Sequence, residues 1–206
     1  MSVTREHRLI AITPPEDIPN ETPFTHQILA GGLLDTLHVR KPSYSPVQMR
    51  KYLTVLCNEG WGERLVLHSC FECAAEFPVR GVHLNEEAKR HPEVARGVRK
   101  VSLAVHEPAE LAEIPAGAYE YVLASPFFPS LSKTGYLPRY SLAEWGAAIA
   151  VSSCRVVALG GVLPQYLSKI WNLGCGGAAF LGYLWQAKTK EELAEFLNKL
   201  KEYAHE

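Results

Sequence analysis

Residues 156–181 read VVALGGVLPQYLSKIWNLGCGGAAFL. A short apolar run (156–159) meets a glycine pair, a stretch of helical pattern follows (164–172), and a second apolar run (178–181) emerges from another glycine cluster. Apolar runs this short, bounded by glycine or polar residues, are the pattern of strands covered on both faces. The unit repeats towards the N-terminus. Residues 9–13, 34–40, 65–68, 81–84, 101–106 and 119–124 bring the number of such runs to eight.

Between the runs lie helix signals. Thr22-Pro23 opens one helix, with Phe24, Ile28 and Leu29 on one face and Gly31-Gly32 as its stop. Ser45-Pro46 opens another, carrying Met49, Leu53 and Leu56. Thr189-Lys190-Glu191-Glu192 is a capping box ahead of Leu193, Phe196, Leu197, Leu200 and Tyr203. Residues 107–112 and 141–150 are further helical stretches, and 86–96 is a weaker one interrupted by Pro92. Strands each followed by a helix, with no linker between them, predict one α/β domain over residues 1–206, arranged as a single (β/α)8 TIM barrel. A doubly wound open sheet is the other arrangement, but no G-x-G-x-x-G follows the first strand and no Walker sequence is present.

Composition narrows the function. The 206 residues carry 21 basic and 22 acidic side chains, a formal net charge of −1, which gives no field for nucleic acid. No apolar run approaches the ~18 residues of a membrane span, and MSVTREHRLI lacks the apolar core of a signal peptide, so a cytoplasmic protein with no membrane partner is expected. Five cysteines make no disulfide framework, and Cys70 and Cys73, a lone C-x-x-C, read as reduced, half-buried thiols on a helix.

In a barrel of this kind the chemistry sits at the C-terminal ends of the strands. Gly160-Gly161 after strand seven, and the glycines from Gly174 to Gly182 around strand eight, let backbone N–H groups approach a phosphate. The loop after strand six offers Ser130, Ser132 and Lys133, two hydroxyls and a cation that can close over an anion, beside Phe127-Phe128. Four histidines stand at the ends of consecutive strands: His38, His68, His83 and His106. If all four point inward, alternate strands pair His38 with His83 and His68 with His106.

The phrases Leu37-His38-Val39-Arg40-Lys41, Gly81-Val82-His83-Leu84, the run 121–129, Ser132-Lys133, the run 157–162 and the glycine cluster 174–182 resemble thiamin phosphate synthase and its TenI relatives. The resemblance covers nearly the whole chain in order. It implies a (β/α)8 barrel, often a homodimer, in thiamin biosynthesis. The family's synthases join thiazole phosphate to hydroxymethylpyrimidine pyrophosphate: the pyrophosphate leaves and the thiazole nitrogen attacks the resulting cation, with Mg2+ on the departing group. Carried across by position, Arg40, Lys133, Ser130 and Ser132 match the family's anion-binding residues, and Gly160, Gly161 and Gly182 fall on the thiazole-phosphate side.

The magnesium side differs. His38 replaces the family's glutamine, Pro42 its lysine, His68-Ser69 its Asn-Asp pair and Ala104 its serine. The second metal aspartate falls on Ala88, with Glu86 and Glu87 as shifted substitutes for a metal ligand. Three classes of function follow. One is a thiamin-pathway enzyme, either a synthase or a TenI-like thiazole tautomerase that moves a proton through His106 first, or His68 or His38. Another is a non-catalytic protein that binds thiazole phosphate. The last is a metalloenzyme ligated by His38, His68, His83 and His106, distinguished by its zinc content.

Overall fold

The computed structural model describes residues 7–129 and 137–204. Eight parallel strands, β1 (Arg8–Ile12), β2 (Thr36–Val39), β3 (Leu65–Leu67), β4 (Gly81–Leu84), β5 (Val101–Val105), β6 (Tyr121–Ala124), β7 (Val156–Ala158) and β8 (Gly177–Phe180), pair in chain order into a closed barrel. The last pairing, Arg8 with Gly177 through Ala11 with Phe180, shuts the ring. Closure leaves no free sheet edge, so each strand is covered on both faces and reads as a continuous apolar run.

The α-helices outside the ring are α1 (Glu21–Ala30), α2 (Pro46–Asn58), α3 (Glu110–Glu113), α4 (Leu142–Val151), α5 (Leu167–Asn172) and α6 (Lys190–Ala204). Two start on complete capping boxes, Ser45 with Gln48 and Ser141 with Glu144. At the start of α6, Thr189 Oγ1 accepts from the Glu192 amide, while the Glu192 carboxylate takes the amide of Lys188, one residue earlier than the reciprocal box requires. Met49, Leu53 and Leu56 bury the inner face of α2, as their spacing predicts.

Three crossovers differ from the sequence expectation. The stretch 86–96 is a pair of 3-10 turns, Ala88–Arg90 and Pro92–Ala95, since Pro92 has no N–H for a continuous helix. The segment after β3 is a 3-10 turn, Phe71–Ala75, entered by Cys70 at a left-handed φ of 50°. Cys73 is buried and Cys70 half-buried; both are free thiols whose pKa burial raises, so neither is an activated thiolate. The expected helix over 107–112 shrinks to the single turn α3.

The barrel interior is layered. At the bottom, the Glu120 carboxylate takes Arg8 at 2.8 Å and also Arg80. Above it come Ile10, Ile12, Leu123, Val157 and Ala179, packed with the ring of Tyr121. Outside the barrel, Trp145 has no exposed surface and stacks on Phe127 with ring centroids 5.1 Å apart, and Phe128 stacks on Tyr166 at 4.3 Å. The two adjacent phenylalanines thus tie the loop after β6 to the outer helices.

Trp145→Ala opens a void under that loop and is expected to cost about 3–5 kcal/mol of stability. Val151→Ala, at a side chain 74% exposed, is expected to stay within about 0.5 kcal/mol. Urea midpoints check both, and equal shifts for the two variants would contradict the packing described.

Candidate active site

At the C-terminal ends of the strands the barrel opens into a cavity of about 440 Å³. Its wall is apolar on one side (Ile12, Leu123, Leu159, Leu181) and carries Arg40, His68, His83, Asn85, Glu86, Glu87 and His106 on the other. Gly160, Gly161 and Gly182 form its rim after β7 and β8.

Those glycines are required by geometry. Gly160 and Gly161 take φ of 90° and 62°, a region that L side chains avoid. A Cβ on Gly160 would lie 2.9 Å from Pro126 Cα, and one on Gly161 only 2.1 Å from the carbonyl oxygen of Pro129. The close approach lets Phe127 and Phe128 donate their amides to the carbonyls of Leu159 and Gly160, at 3.0 Å each. Among the described residues, the amides of Gly160, Gly161 and Gly182 meet no protein acceptor, so they remain as donors at the cavity rim.

Across the cavity stands Arg40. Its backbone is pinned, N–H to Thr13 Oγ1 at 2.8 Å, yet its guanidinium has no carboxylate partner among the described residues. The neighbouring Lys41 is taken: it is fully buried, 2.6 Å from Glu21 and 3.2 Å from Asp17. Ser130, Ser132 and Lys133 lie outside the described residues.

Three of the four histidines come together. His38 Nδ1 is 2.8 Å from His68 Nε2, the His68 and His83 rings stack at 4.3 Å, and His38 and His83 centroids are 5.5 Å apart. Tyr121 Oη meets His38 Nε2 at 2.5 Å, and Ser102 Oγ meets His83 Nδ1 at 3.0 Å. The expected pairing of His38 with His83 is present; that of His68 with His106 is not. Register explains why: His83 is level with Ser102, which puts His106 four residues further up β5, about 13 Å by strand rise. His106 therefore sits on the rim.

There His106 Nδ1 lies 3.1 Å from the carbonyl oxygen of Ser125. The Ser125 hydroxyl lies 3.3 Å from the same nitrogen, and His106 Nε2 lies 3.7 Å from Glu86 Oε1. His38, fully buried, does not line the cavity and reaches it only through His68. Tyr121, Ser102 and Ser125 were missed by the sequence reading, although alternation along β5 and β6 puts them on the inward faces with His106 and Leu123.

A magnesium ion in the cavity would look to the carboxylates of its wall. Ser69 Oγ, at the first carboxylate position, donates to the Lys41 carbonyl at 3.0 Å, and Ala88 offers nothing. The Glu86 carboxylate is held by Lys89 Nζ at 2.6 Å. Glu87 is left as the one carboxylate on the wall without an ion pair among the described residues. Glu87, with Glu86 beside it, would hold a magnesium ion here, the remaining oxygens coming from water and a substrate diphosphate.

The family model for thiamine monophosphate synthases (TMP-TENI) matches residues 9–184. The thiamine-phosphate synthase of Latilactobacillus sakei is 27% identical over 138 residues, 65% of this chain and 62% of that protein, so the alignment spans a little under two thirds of that relative. That of Laribacter hongkongensis is 24% identical over 183 residues, 86% of this chain and 85% of its own. The crystal structure of a thiamine phosphate pyrophosphorylase from Bacteroides thetaiotaomicron superposes with a TM-score of 0.78 at 30% identity, covering 96% of this chain and 98% of that one. No helix among the described residues is long and apolar enough to cross a membrane.

Burial, then the neighbouring His83 charge, holds the His38 and His68 rings well below the ordinary imidazole pKa; burial, then Lys89, holds His83 at about 3. The unfolded chain takes up protons at these rings below about pH 6.5, and the folded chain does not. Stability is therefore greatest above pH 6.5 and falls as the pH drops towards 5, by up to about 1.4 kcal/mol per pH unit for each ring. Denaturant midpoints measured with a chelator present check this. A flat profile over that window would contradict it.

Proposed function

The chain belongs to the thiamine monophosphate synthase family, and from that premise we propose that its cavity joins a thiazole phosphate to hydroxymethylpyrimidine pyrophosphate. The observation that carries the reading is that one cavity has two ends suited to anions: the amides of Gly160, Gly161 and Gly182, which meet no acceptor among the described residues, at one side, and the Arg40 guanidinium, with no carboxylate partner among them, at the other. Joining a phosphate ester to a diphosphate ester needs both ends; isomerising a single phosphate ester needs one.

In this reading the thiazole phosphate rests on the glycine amides, with its ring against Leu123, Leu159 and Leu181. The pyrimidine pyrophosphate faces Arg40. The C–O bond from the pyrimidine methylene to the diphosphate breaks, the thiazole nitrogen donates its pair to that carbon, and pyrophosphate leaves with its electrons. No proton moves. Arg40 offsets the charge that grows on the leaving group, and the apolar wall excludes water from the cation. Magnesium held by Glu87 would add positive charge beside the departing diphosphate.

A second reading rests on His106. Its imidazole lines the cavity, held at Nδ1 by Ser125 and facing Glu86 through Nε2, a position from which to exchange a proton with a substrate, as a thiazole tautomerase requires.

Titration calorimetry with each ligand, with product followed in the same samples, separates the readings. Binding of both ligands with pyrophosphate release is expected. Arg40→Ala is expected to weaken the pyrimidine pyrophosphate by about tenfold or more and leave thiazole phosphate affinity within about twofold. Binding of thiazole phosphate alone, with tautomerase turnover lost in His106→Ala, would replace the first reading by the second.

A further inference from the structure

Neither reading of the cavity uses the buried histidines beneath its floor. His38, His68 and His83 come from three neighbouring strands, and one ring nitrogen of each lies within 4.8 Å of one from each of the others. All three are buried, and the 2.8 Å contact between His38 Nδ1 and His68 Nε2 turns two of the ring nitrogens towards each other. A neutral imidazole keeps one nitrogen with its lone pair, the form in which it binds a metal.

The outer nitrogens are already arranged. Ser102 Oγ holds His83 Nδ1 at 3.0 Å and so turns His83 Nε2 towards the other rings. His38 Nε2 is met by Tyr121 Oη, which frees His38 Nδ1 to face His68. Hydrogen bonds on the far nitrogen orient a ring and set its tautomer, which is the support that metal-binding histidines carry. His68 and His83 also line the cavity, so one side of the cluster is open to an entering ion.

We propose that His38, His68 and His83 form a binding site for a divalent transition-metal ion of the zinc class, one ring nitrogen from each, with the fourth position open to the cavity. Tetrahedral zinc with Zn–N of about 2.0–2.1 Å sets its nitrogens about 3.3 Å apart. The present 2.8 Å between His38 and His68 opens slightly to reach that, and the wider pairs close by small ring rotations. His68, now donating or accepting along its contact with His38, turns its proton to Nδ1 when Nε2 takes the ion. The all-nitrogen donor set selects against magnesium and calcium, which need oxygen. The proposal stands apart from the thiamin-pathway reading: the site binds its ion whichever reaction the cavity performs.

The test is titration of the full chain, stripped with EDTA, by Co(II) and then Zn(II). About one Co(II) per chain is expected, with the intense visible bands of a four-coordinate nitrogen site, displaced by Zn(II). X-ray absorption of the zinc form is expected to count three imidazole nitrogens at about 2.0–2.1 Å. His68→Ala and His83→Ala are each expected to lose binding by about a hundredfold, Tyr121→Phe and Ser102→Ala by about tenfold, and exposed His91→Ala not at all. The wild-type spectra need no variant to fold. A pale six-coordinate cobalt spectrum, fewer than three imidazoles, or unchanged binding in correctly folded His68→Ala would overturn the proposal.

Discussion

The barrel interior offers no bulk water, so burying polar groups there favours arrangements in which they meet one another, and the site is built around that constraint. Tyr121, His38, His68, His83 and Ser102 solve it as one connected column. Below the column the Arg8–Glu120–Arg80 ion cluster closes the bottom of the barrel. Above it the histidine rings become the floor of the cavity. A break anywhere in the column leaves a buried polar group unpaired, at a cost of about 1–3 kcal/mol, which makes the floor stiff.

A stiff floor suits the rim. The glycine pair after β7 exists because the loop after β6 passes too close for a side chain. Phe127 and Phe128 anchor that loop outside the barrel on Trp145 and Tyr166, so packing on the outer layer fixes where the rim amides point. The placement of the glycine rim thus depends on aromatic stacking in a different layer, and on the far side Lys41, next to Arg40, takes the nearby carboxylates Glu21 and Asp17.

All eight strands were legible in the sequence because burial on both faces makes them continuous apolar runs. Their ends were less so. Leu34 is buried like a strand residue yet precedes β2, which begins at Thr36, because burial alone does not register hydrogen bonding. Pro92 warned that the β4 crossover is not a regular helix, but nothing local signalled the 3-10 turn after β3. In the site, strand-end position identified Arg40, His68, His83, His106 and the glycines as cavity residues. The grouping of histidines was misjudged for His106, since shear between β4 and β5 lies in the pairing register and not in any local pattern. Tyr121 and Ser102 read as ordinary strand residues; their hydrogen bonds to histidines on other strands exist only once the barrel closes.

The divergence from the family's expected magnesium side then has a physical shape. Where the family resemblance leads one to expect carboxylates and amides, imidazoles meet one another inside the barrel, with the glycine rim above them. The most direct measurement of this account is a crystal structure of the chain grown with thiazole phosphate and inorganic diphosphate together. The account predicts the phosphate group on the amides of Gly160, Gly161 and Gly182 and the diphosphate against Arg40, on opposite sides of the cavity. Both anions at one end, or both outside the cavity, would contradict it.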